Sequence, residues 1–186
     1  MRAHGHGGTL LVVSKNDSWI NSIHQPMIFA GSSYEKVKDD LKSRDEAFEQ
    51  EMEAKRWFFT SERYNRIRDT AQRSLGLVGQ LTAIDGATIV NYDLSVFAFG
   101  VKIKPINAEE RPNRVLTSEP FEESEQEEIE ISELGGTRHQ SAAQFVFDQR
   151  DSMAIVSSQD GRVSVLAWEP EKQMVAVTRH AEFALL

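Results

Sequence analysis

The chain of 186 residues has no cysteine, which excludes disulfides and every thiolate-ligated metal centre. It lacks long apolar runs: Leu10-Leu11-Val12-Val13 is among the longest, and four residues cannot span a bilayer. Met1-Arg2-Ala3-His4 is not followed by the hydrophobic region of a signal peptide, so the expectation is a cytoplasmic protein with no membrane segment. Basic residues are the minority, 21 Lys and Arg against 29 Asp and Glu, giving a net charge of −8. A polyanion would be repelled on average, which argues against nucleic acid as a partner and leaves room only for a local basic pocket. What is present is ordinary for a globular chain, 40% apolar and 27% charged, so collagen-like and globally disordered classes are excluded. The length suits a single domain over 1–186 with a real core.

Thr9 to Ser14, announced by glycines, reads as a short buried strand. Ser32-Ser33-Tyr34-Glu35 has the spacing of a capping box, and Tyr34, Val37, Leu41, Phe48 and Met52 continue as an amphipathic helix to about Lys55, a helical segment at about 33–58. Thr60 or Ser61 caps a second helix with the stripe Tyr64, Ile67, Ala71, Leu75 and Val78. Its basic face (Arg63, Arg66, Arg68, Arg73) reads first as solvated surface. Ala87–Asn91 and Ser95–Lys102 read as strands around an Asn91-Tyr92-Asp93 turn. Prolines over 105–133 and eight glutamates crowded between 119 and 133 suggest an acidic, mobile, solvated loop at about 105–133. A helix follows from Arg138 to about Phe147, burying Ala142, Phe145 and Val146. Strands at Met153–Ser157 and Val163–Ala167 flank the Asp160-Gly161 hairpin signal, and Met174–Val177 closes the sheet. Strands mixed with helices and antiparallel hairpins give an α/β fold: a mixed, largely antiparallel central sheet with helices packed on both sides.

Chemistry concentrates in Gly135-Gly136-Thr137-Arg138-His139 at a helix start. Glycines admit close backbone approach, the first helical amides lack internal partners, and the dipole favours an anion there. Thr137 adds a hydroxyl and Arg138 a permanently charged fork suited to phosphate oxygens. The same five residues also describe an ordinary capped helix with a surface Arg-His pair. Asp85-Gly86-Ala87, where helix meets strand, puts a carboxylate where it can hold a hard cation or polarise a hydroxyl, though Asp-Gly alone is most often just a turn. His4-x-His6 finds no third ligand, His24 and His180 have no companions, and no Gly-x-Ser-x-Gly elbow supports a hydrolase.

Taken together, Asp85-Gly86-Ala87-Thr88-Ile89, then Glu133-Leu134-Gly135-Gly136-Thr137-Arg138-His139-Gln140, then Ala154-Ile155-Val156-Ser157 and Gly161-Arg162-Val163-Ser164-Val165 resemble, in order and near the right spacing, the diadenylate cyclase (DAC) domain of the DisA/CdaA type. Gly8-Thr9-Leu10-Leu11-Val12 resembles that domain's first core strand, so the resemblance covers roughly 4–104 and 133–178. The resemblance begins almost at Met1, which implies either an excised catalytic domain or a minimal version of one.

The resemblance implies condensation of two ATP into cyclic di-AMP with release of pyrophosphate, with Mg2+ or Mn2+, at a head-to-tail interface of two copies. It assigns catalytic roles to Asp85, Arg138 and His139, and metal binding to Asp85 and His139. Nucleotide contacts fall to Gly86, Ala87, Gly135, Gly136, Thr137, Gln140 and Ser157. Two departures stand out: Gln140 replaces the family's second arginine, and Ser158 replaces the glutamate expected after Ser157, with Asp160 the nearest carboxylate if its hairpin turns inward. The alternative is a catalytically degenerate DAC-fold module that senses a nucleotide without turnover. A third reading is a scaffold that binds a partner protein through its acidic loop.

Overall fold

The computed structural model describes residues 7–14, 16–24, 26–28, 34–54, 61–121 and 125–185. His4, His6, Ser32, Ser33, Lys55 and Thr60 lie outside them. The elements in chain order are β1 (Gly8–Val13), β2 (Ile23–His24), β3 (Met27–Ile28), α1 (Lys36–Glu53), α2 (Glu62–Leu81), β4 (Ala87–Asn91), β5 (Val96–Ile103), β6 (Arg114–Ser118), β7 (Glu127–Glu130), α3 (Thr137–Asp148), β8 (Met153–Ser157), β9 (Val163–Glu169) and β10 (Met174–Thr178). Short 3-10 turns occupy Ser18–Ser22, Ile131–Glu133 and Ala181–Leu185.

The strands form a sheet of order β2-β5-β4-β1-β8-β9-β10-β6-β7, with β3 also on β5. β1 pairs parallel with β4, and β10 with β6. The other described pairings are antiparallel. This is the mixed, largely antiparallel sheet expected.

Alternation along β1 shows why both faces carry helices. Leu11 and Val13 enter one core with Phe145, Val146, Ala142 and Ala143 of α3, whereas Leu10 and Val12 enter another with Val78 and Leu81 of α2. Phe145 is the largest fully buried side chain of the first core. Ser61 caps α2 by accepting from the Tyr64 amide at 3.1 Å. α1 packs on α2, with the Ser74 hydroxyl donating to Asp40 and Phe48 against Tyr64 at 6.1 Å between ring centroids. Phe48 and Leu75, expected on buried stripes, stay largely exposed, while Val78 and Leu81 of the same hairpin pack against the sheet.

The acidic segment departs from expectation. Residues 114–118 and 127–130 are strands, not a solvated loop, and β10 is an interior strand rather than the sheet's last. Val115, Leu116 and Thr117 of β6 are buried beside β10, while in β7 only Ile129 turns inward and Glu127, Glu128 and Glu130 face water. Arg114 meets Glu128 at 2.9 Å and Glu130 at 3.5 Å. Charge on an outermost strand discourages further pairing, so the glutamates that obscure the strand also protect its edge.

Candidate functional site

The sheet's register gathers one set of strand ends. Thr9 of β1 stands between Ala87 of β4 and Val156 of β8, Ala87 pairs with Val101 of β5, and Ser157 pairs with Gly8 and with Val163 of β9. The tip of α3 reaches the same end, enclosing a cavity of about 1010 Å³. Asp85, Gly86, Ala87, Gly135, Gly136, Thr137, Arg138, His139 and Ser157 all line it. Two motifs fifty residues apart in sequence thus meet on one cavity.

Gly86 has φ +128, and a Cβ there would stand 2.5 Å from the Gly100 carbonyl carbon, so the chain entering β4 is pressed against β5. This lifts the preceding Asp85 carboxylate clear of the sheet, with the side chain 95% exposed. Its Oδ2 accepts from Lys102 Nζ at 2.6 Å. That hydrogen bond, the Lys102 charge and, further off, Arg138 hold the Asp85 carboxyl below the usual carboxylate range.

Gly136 caps α3 by position only, since no side chain closes the helix end. Its carbonyl takes the amides of His139 (3.0 Å) and Gln140 (3.3 Å), leaving those of Thr137 and Arg138 without an intrahelical acceptor. Ser141 Oγ donates to the Thr137 carbonyl at 2.8 Å and so does not cap. Gly135 has φ +141, and a Cβ there would approach His139 Nδ1 to 3.1 Å. The His139 ring is fixed from its other side by Ser164 Oγ, 3.1 Å from Nε2. Burial chiefly, then the Arg179 charge, lowers the His139 pKa against a smaller pull from Asp160. The ring is therefore neutral near pH 7.

Gln140 is not on this cavity. It donates to the Gly135 carbonyl at 3.0 Å and borders a neighbouring hollow of about 240 Å³ with Pro105, Pro112 and Ile131. A helical step of 100° separates it from His139, so the position where an arginine was expected does not line the cavity. Ser158 donates to Asp160 and, at 3.1 Å, to the Arg162 carbonyl. Asp160 does turn toward the cavity, paired with Arg162 at 3.2 Å.

Lys102, Arg179, His180, Ser164 and Glu119 also line the cavity and were not anticipated. Lys102 was legible in principle: its neighbour Val101 pairs with Ala87, which places it beside the Asp85-Gly86 entry. Of the cavity's cations, Lys102 and Arg162 are paired, whereas Arg138 and Arg179 form no ion pair among the described residues.

Among the described residues no group of three His, Asp or Glu could hold a metal ion by itself. The Asp85 carboxylate, exposed and accepting only, fits a hard divalent ion whose other ligands are phosphate oxygens, a common arrangement for Mg2+. His139 as a second ligand requires its ring to leave Ser164. Among the described residues no helix is long and apolar enough to cross a membrane. No family model matches the chain, and no curated protein matches it.

Proposed function

We propose that the cavity takes the triphosphate of ATP, and that two copies of the chain facing one another condense two ATP into cyclic di-AMP. The observation that carries this reading is the convergence of Asp85 with the Gly136–Arg138 tip of α3 on one cavity. The helical amides without an intrahelical acceptor, the Thr137 hydroxyl, and Arg138 and Arg179, which form no ion pair among the described residues, suit phosphate oxygens, and together they offset the chain's overall acidity locally.

In each of two equivalent steps a 3′-oxygen of one nucleotide bonds to the α-phosphorus of the other. The bond from that phosphorus to the pyrophosphate oxygen breaks, and the hydroxyl proton passes to a base or water. Two steps close the ring and release two pyrophosphates. Such a reaction depends mainly on positioning and charge stabilisation. Asp85 accepts from and orients the 3′-hydroxyl. Arg138 and the α3 amides hold the oxygens on which charge develops. His139, neutral and held by Ser164, donates a ring N–H to the phosphate chain without adding charge. Gly86, Ala87 and Ser157 form the floor against which the nucleotide lies. A bound Mg2+ or Mn2+, held by Asp85 and the phosphates, supplies neutralisation of the triphosphate.

A second reading, nucleotide binding without turnover, is favoured by particular contacts. Asp85 is already engaged by Lys102, Gln140 does not line the cavity, and Ser158 offers a hydroxyl where a carboxylate was expected. Incubation with ATP and Mn2+ or Mg2+ followed by chromatography separates the two. Cyclic di-AMP that disappears in Asp85→Asn supports the cyclase. Saturable ATP binding with no product under either metal supports the sensor.

A further inference from the structure

A row of three rings from two chain segments leads outward from the cavity wall, beginning at His180. His180, which lines the cavity, lies against Phe183 with ring centroids 5.9 Å apart, and Phe183 stacks on Phe121 at 6.3 Å and 29°. Phe183 is 50% exposed and Phe121 59% exposed, large apolar rings held together yet left to solvent. His180 has φ +52, a left-handed conformation uncommon for a residue with a side chain, and this turn carries the chain from β10 into the Ala181–Leu185 segment bearing Phe183. The turn is tied down by Glu182, which accepts from the Val163 amide at 2.8 Å.

We propose that this column is the base-binding face of the site, taking the nucleobase of the nucleotide by stacking. The inference rests on the reading of the cavity as a triphosphate site and adds where the rest of the molecule goes. The occupant follows from continuity. Arg179, without an ion pair among the described residues and lining the cavity, directly precedes His180, so a phosphate-suited cation and the inner end of the ring column are one Cα step apart. A ligand that is an anion at one end and a planar aromatic at the other matches that sequence of groups. Stacking on aromatic side chains needs no hydrogen-bonding code, which is why no motif in the sequence announced it.

The test uses the full chain and two probes, ATP and inorganic tripolyphosphate, titrated calorimetrically against wild type, Phe121→Ala and Phe183→Leu. The proposal expects each variant to weaken ATP on the order of tenfold while leaving tripolyphosphate affinity unchanged, which also shows that the variants are folded. Tripolyphosphate and ATP both binding wild type, with ATP indifferent to either substitution, overturns the base-stacking face and leaves the phosphate reading standing. Failure of wild type to bind either probe overturns the phosphate reading and this inference with it. Sedimentation of the same samples supplies one more outcome. If the substitutions abolish self-association and leave ATP affinity intact, the rings are a contact between copies and the proposal is wrong.

Discussion

Lys102 Nζ lies 2.6 Å from Asp85 Oδ2, joining the turn before β4 to the far end of β5 across the mouth of the cavity. The pair keeps the carboxylate ionised and aimed at the site. It also means that any cation or hydroxyl approaching Asp85 competes with an ammonium already in place.

For the proposed cyclase activity, an acid dependence follows. With its carboxyl held below the usual range by Lys102 and then Arg138, Asp85 stays charged at pH values where an ordinary carboxylate begins to protonate. In Lys102→Met the acid limb of the rate profile is expected to move to higher pH, read from initial rates across pH 3–7. An unmoved limb assigns that limb to another group. Exposed as the pair is, the urea midpoint of this variant is expected to match wild type.

His139 carries a stability signature. Its folded pKa lies below the unfolded value near 6.5, so below that value the unfolded chain binds the additional proton more readily. The stability it permits is complete above the unfolded pKa and declines as pH falls through the folded one. His139→Gln is expected to flatten that part of the stability-versus-pH curve, measured by urea unfolding between pH 4 and 8. An unchanged slope contradicts the neutral, buried ring.

Gly86 and Gly135 separate strain from chemistry. Gly86→Ala meets the Gly100 backbone and a disfavoured φ, and is expected to cost about 1–3 kcal/mol or more in unfolding free energy. Besides its own φ, Gly135→Ala meets the His139 side chain first, so its expected mark is a displaced imidazole, seen as a changed His139 shift in NMR spectra. Equal stability of Gly86→Ala and wild type contradicts the close approach of β4 to β5.

Phe145→Ala, at a fully buried position under α3, is expected to lose about 3–5 kcal/mol. Phe48→Ala on the exposed side of the α1–α2 hairpin is expected to lose far less. Denaturant melts of the two variants check the ranking. Comparable losses contradict the placement of the main core beneath α3.

Much of this architecture was readable in the chain because local patterns and tertiary demands coincide. The apolar run that ends β1, the Asp160-Gly161 hairpin and the alanine-lined face of α3 each name their own structure. The edge pair β6–β7 was not readable. The glutamates of β7 mimic a solvated loop, and β6 finds its parallel partner β10 some sixty residues downstream. The site divides likewise. Asp85 and the α3 tip carry motifs, whereas Arg179, His180 and Ser164 reach the cavity only through the register of β8, β9 and β10. Gln140 shows the converse: adjacency to a motif in sequence put it in the site, and helical rotation takes it out.

In the proposed function the α3 tip and its arginine grip nucleotide phosphates. Calorimetric titration of ATP with Mg2+ into wild type and Arg138→Ala tests it most directly. The prediction is saturable binding that weakens on the order of ten- to a hundredfold in the variant, the worth of one charge-assisted contact. Binding that is absent from wild type, or equal in the two proteins, contradicts it.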